Sequence, residues 1–171
     1  AAELYTAASD GTFKRWDPRT GLVLETIPVP VGTACAFSAD GRYLVGATWD
    51  GKVHVVSTER RIEVRSADAS GIVTAVAIAE GGSAFAALSL GGTLDTWDLE
   101  TTERRAHAPL GYDSTSIAMS PDGARVALAD TKRVSGPHDG AGPLLVDAIT
   151  GAVLATGDAG NVEFSPDSRR L

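Results

Sequence analysis

The sequence is short of most residue types that build chemical sites. It has one cysteine, Cys35, so no internal disulfide can form, and three histidines, His54, His107 and His138, with no close pair among them. No Cys/His ladder with zinc-ligand spacing surrounds them, and no metal site is expected. Positive charge is scarce: 15 basic against 22 acidic side chains give a net charge of −7 and a pI near 4.9. A chain this acidic lacks the basic face that nucleic acid requires, so no nucleic-acid partner is expected. Apolar runs stop at about eight residues, as in Ile72–Ala79, well below the roughly 20 needed to cross a membrane as a helix. The first residues carry neither a basic nor an apolar leader, and the expected location is the cytoplasm. No segment sustains a 3.6-residue apolar period between caps, so almost no helix is expected.

What remains is turn chemistry, and it repeats. Phe37-Ser38-Ala39-Asp40-Gly41, Ile78-Ala79-Glu80-Gly81-Gly82, Met119-Ser120-Pro121-Asp122-Gly123 and Phe164-Ser165-Pro166-Asp167-Ser168 end 41, 41 and 45 residues apart. Asp10-Gly11, Asp50-Gly51 and Gly91-Gly92 form a second series, spaced 40 and 41 apart, each leading into a strand-like run. A third comprises Pro18–Gly21, Thr58–Arg61, Leu99–Thr102 and Ala148–Gly151. Asp-Gly and Thr-Gly between runs of four to seven residues read as hairpin corners, because glycine accepts a positive φ without steric cost. The unit is four short antiparallel strands per roughly 41 residues, an all-β array in approximate units 1–31, 32–71, 72–112 and 113–159. A further first strand is expected within 160–171. The carboxylates Asp17, Asp40, Asp50, Asp98, Asp122, Asp147 and Asp167 recur with the repeat, which predicts turn capping for them and no catalytic pair. Residues 131–143 lengthen the hairpin between the second and third strands of the fourth unit.

The strand-ending pairs Trp16-Asp17 and Trp97-Asp98, in register with Asp50-Gly51 and Ser120-Pro121-Asp122-Gly123, resemble the WD-repeat family of β-propellers. The resemblance implies four-stranded blades, about four of them, forming an open arc of a seven- or eight-bladed ring. Alanine at 27 positions, and 12 arginines against 3 lysines, fit a GC-rich bacterial source. The family's hydrogen-bonded tetrad maps onto Ser9, Asp10 and Trp16 in the first unit and onto Thr48 and Asp50 in the second, where Val56 stands in the Trp place. In the third it maps onto Ser89 and Trp97, with Gly91 replacing the Asp. The tetrads are incomplete, so stability is expected to rest on apolar packing between blades.

Sequence alone offers no nucleophile elbow, phosphate loop or calcium loop, and neither catalytic residues nor a cofactor are expected. Cys35 is read as a small buried hydrophobe. The resemblance implies partner docking on the face formed by the turns between second and third strands, where Ser9, Trp49 and Leu90 precede the turn centre, with Tyr112 and the insertion around His138 nearby. The reading is a non-catalytic module that scaffolds protein partners, one part of a larger regulatory protein. The alternative is a propeller enzyme of lactonase-like or quinoprotein-like type.

Overall fold

The structure, a computed structural model, describes residues 4–114, 116–129, 131–133, 142–157 and 164–168. Every regular element among them is a strand. The first sheet holds three, β1 (Leu4–Ala8), β2 (Thr12–Trp16) and β3 (Val23–Pro28). The second runs β4 (Ala34–Phe37), β5 (Tyr43–Ala47), β6 (Lys52–Ser57) and β7 (Ile62–Asp68) in that spatial order. The third runs β8 (Val73–Ile78), β9 (Ala84–Ser89), β10 (Thr93–Asp98) and β11 (Arg104–Pro109). In the fourth, β13 (Ser116–Met119), β14 (Arg125–Ala129), β16 (Leu144–Asp147) and β17 (Val153–Thr156) follow one another. All pairings are antiparallel. One ribbon lies outside the repeat: β12 (Tyr112–Asp113) pairs with β15 (Lys132–Arg133) at the start of the insertion.

Alternation along the middle strands puts one side of each sheet into the gap behind it and the other into the gap ahead. Leu44 and Val56 pack back against Phe13 and Ile27 of the first sheet, while Val45, Val53 and Val55 pack forward against Phe85, Ala87 and Trp97 of the third. The third sheet repeats the division, sending Ala84, Ala86, Leu88 and Leu94 toward Val126, Leu128 and Leu144 of the fourth. Middle strands buried on both faces therefore read as unbroken apolar runs. First strands are neighbours from sheet to sheet, β4 beside β8 and β8 beside β13, while the last strands stay largely exposed. Sheets joined at one edge and fanned apart at the other are the blades of a partial β-propeller.

The repeat also persists in irregular backbone. Pairing between third and last strands slips by one residue at the same place in all four blades, after Arg15, Val55, Thr96 and Leu145. Leu24, Val64, Arg105 and Leu154 are the unpaired residues of these bulges. The first turn of the unit is closed identically at Gly41, Gly82, Gly123 and Ser168, each donating its N–H three residues back, with φ between 59° and 71°. Ser168 adopts there a left-handed conformation that its counterparts fill with glycine.

Candidate functional site

At one end of the sheets, the turns joining second and third strands meet the loops that cross to the next blade. Ala8–Gly11, Thr48–Gly51 and Ser89–Gly92 are closed by N–H donation from the fourth residue to the carbonyl of the first. Each turn rests on a crossing loop. A Cβ on Gly51 would lie 2.9 Å from the Gly71 carbonyl oxygen, and one on Gly92 2.3 Å from the Tyr112 nitrogen. Leu90 donates its N–H to the Ile72 carbonyl at 2.7 Å. The result is a continuous rim on which Trp49 is 70% exposed and Leu90 61%. The Trp49 ring leans on Gly32, whose missing Cβ leaves room for it. Ser9 occupies the same tip position on the first blade and is exposed. Tyr112 is half-buried in β12 against the core between the third and fourth blades. His138 lies outside the described residues. The insertion opens at the same end, and its base is tied by the Thr131 hydroxyl donating to the Gly142 carbonyl at 2.8 Å.

The recurring aspartates cap turns. Asp17, Asp98 and Asp147 accept backbone N–H bonds from residues two or three ahead, and Asp10, Asp40, Asp50 and Asp122 do so from two ahead. Hydrogen bonds to the ionised form lower a carboxyl pKa. Arg105 together with two backbone amides brings Asp98 to about 2, and the Arg42 amide with the Ser38 hydroxyl brings Asp40 to about 2. Where the third blade has Gly91 in the aspartate place, Asp113 from the next loop accepts the Gly91 N–H at 3.0 Å.

The tetrad positions need correction. The Trp16 ring N–H donates to the Thr6 hydroxyl at 2.9 Å, and Ser9 does not take part. The strand-end place of Thr48 and Ser89 belongs to Ala8 in the first blade, since a tip residue and a strand-end residue differ by one. Thr48 donates to Asp50 at 2.5 Å and stands 3.3 Å from His54 Nε2. Ser89 is buried, and Trp97 is stacked on Phe85 with centroids 5.1 Å apart under the Arg104 guanidinium. Cys35 is exposed on β4, contrary to the buried expectation, whereas Val76 at the same place on β8 is buried: β8 lies between two first strands, β4 and β13, and β4 has one such neighbour among the described residues. Partial desolvation still raises its thiol pKa.

One cluster went unseen in the sequence. Asp95 on β10 is fully buried and accepts from the Ser70 amide (2.9 Å), the Ser70 hydroxyl (2.6 Å) and His107 Nδ1 (2.8 Å), with Arg104 Nη1 at 3.7 Å. Ser70 belongs to the loop between the second and third blades, His107 to β11. The spacings of 25 and 12 residues follow no repeat, so only the fold brings the three together. A serine, a histidine and an aspartate invite a nucleophilic reading, which the geometry opposes. A general base must take the hydroxyl proton on the imidazole nitrogen remote from the carboxylate. Here the hydroxyl donates to the carboxylate itself and lies 3.2 Å from the same Nδ1. The cluster is a clamp on the crossing loop.

Comparison with known proteins agrees with this architecture. The family described as WD domain, G-beta repeat, matches residues 26–57. No curated protein matches the sequence. The fold is similar to that of Kuenenia stuttgartiensis Hydrazine Synthase, with a TM-score of 0.76 and 19% identity over 98% of this chain and 50% of that one. The protein thus spans half the length of that chain, and identity at this level speaks for the fold alone. With four sheets in repeat register, the chain is a partial β-propeller, and one of its repeats, residues 26–57, matches the WD domain, G-beta repeat family.

Proposed function

We propose that the protein is a non-catalytic cytoplasmic interaction module that docks a protein partner on the rim carrying Trp49, Leu90 and Tyr112. The observation that carries this reading is Trp49, a large aromatic 70% exposed at the tip of a turn already fixed by the Thr48–Asp50 bond. A pre-ordered aromatic loses little freedom on binding, and tryptophan is enriched among residues that dominate interface energy. Leu90 extends the apolar surface along the same rim. Trp49→Ala in the intact protein is expected to weaken partner retention by about 2 kcal/mol or more, some thirtyfold, with the melting temperature nearly unchanged. Retention that survives both Trp49→Ala and Leu90→Ser would sink the reading. So would a large loss of stability in Trp49→Ala, which would make the ring a packing element. Generic ester and lactone substrates test the enzyme alternative, and turnover abolished by His107→Ala would reverse the preference.

A further inference from the structure

At the opposite end of the second blade, the first turn, the third turn and β7 enclose a cleft of about 480 Å³. Its walls bring three arginines together: Arg42 from the first turn, Arg60 from the third and Arg65 from β7. Most arginines here are spoken for. Among the described residues, Arg15 and Arg61 reach Glu25, Arg42 reaches Asp40, Arg104 and Arg105 reach aspartates and carbonyls, and Arg125 reaches the Ser168 carbonyl. The side chains of Arg60 and Arg65 have no such acceptor, and both face this cleft. Arg65 is half-buried, paired in register with the buried Val55, and among the described residues its guanidinium is held by no ion pair or hydrogen bond to a protein acceptor.

The remaining lining is rich in donors. The Tyr43 and Ser57 hydroxyls border the cleft, and the exposed Ile62 and the Tyr43 ring supply an apolar side. Two carboxylates also line it. Glu63 stands 3.1 Å from His54 Nδ1, and Glu59 is the exposed carboxylate of the third turn beside Arg60. Guanidinium forks match tetrahedral oxyanions bidentately, and a phosphate monoester offers three terminal oxygens to a donor set of this size. The volume lies within the range of small-molecule sites.

We propose that this cleft binds a phosphate monoester carried on an apolar or aromatic body, with Arg60 and Arg65 clamping the phosphoryl oxygens. The site stands at the far end of the blade from Trp49 and is independent of the docking rim. Calorimetric titration of the full chain with phenyl phosphate at low salt tests it. Saturable binding is expected, with benzoate at least about tenfold weaker and Arg60→Gln and Arg65→Gln each losing about tenfold. Glu59→Gln, which removes one of the two opposing charges, is expected to tighten binding about twofold to threefold. Arg60 is exposed, so its replacement leaves the fold intact and keeps the test valid should Arg65→Gln fold poorly. A phosphotyrosine peptide run beside phenyl phosphate identifies the source. Tighter binding of the peptide assigns a phosphorylated partner segment, and equal binding a free organic phosphate. No saturable binding at millimolar phenyl phosphate, or wild-type affinity in Arg60→Gln, overturns the proposal.

Discussion

Replacing Asp95 with alanine removes the acceptor for three donors at once: the Ser70 amide, the Ser70 hydroxyl and His107 Nδ1. Hydrogen bonds to a charged group contribute about 1.5–3 kcal/mol each, and stripping one partner from a buried charged pair costs about 3–5 kcal/mol. Two considerations lower the sum. Ser70 is exposed and the His107 side chain is 50% exposed, so the abandoned donors regain water. Removing a fully buried carboxylate also removes its own desolvation cost. The expected loss is therefore about 2–3 kcal/mol, or roughly 5–10 °C in Tm for a chain of this size. Urea denaturation followed by tryptophan emission measures it. Amide exchange at Ser70 localises it, since the crossing loop should open well before the sheets. A loss below about 1 kcal/mol, or unchanged exchange at Ser70, would refute the clamp.

Three further outcomes follow from the geometry. Gly92→Ala places a methyl 2.3 Å from the Tyr112 nitrogen at a φ of +78°, and thermal denaturation should show a loss of about 3 kcal/mol or more. Thr102 holds a φ of +58°, costly for a β-branched residue, so Thr102→Gly should raise stability by about 0.5–1 kcal/mol in the same assay. The carboxyls of Asp40 and Asp98, depressed to about 2 from 3.8, contribute stability that is fully present above pH 4 and lost as pH falls toward 2. Acid unfolding curves of Asp98→Asn should be flatter across that window than those of the parent chain.

Most of the fold was legible because it is written in turns. Gly41, Gly82 and Gly123 mark one corner of three successive blades, and each aspartate at a strand end marks the next. The ribbon of β12 with β15 was not legible, since two-residue strands carry no periodic signal. The rim residues Trp49 and Leu90 could be placed because their turn repeats. The Asp95 clamp escaped because Asp95 and His107 meet only through the register of β10 with β11, and Ser70 reaches them from the loop between blades. Asp113 standing in for the residue missing at Gly91 escaped because it too arrives from the loop leading to the next blade. Exposure of Cys35 depends on which first strands flank β4, a property of assembly that local composition does not carry.

The matched repeat, residues 26–57, begins in β3 of one sheet and ends with β6 of the next. Sequence unit and sheet are out of phase by one strand. Several bonds run the same way, from Ser70 to Asp95, from Gly91 to Asp113 and from Thr96 to the Ala148 carbonyl. A segment duplicated in phase with the repeat would therefore arrive already threaded through two neighbours. The array can lengthen without a new linker, and an excised sheet leaves a seam on both sides.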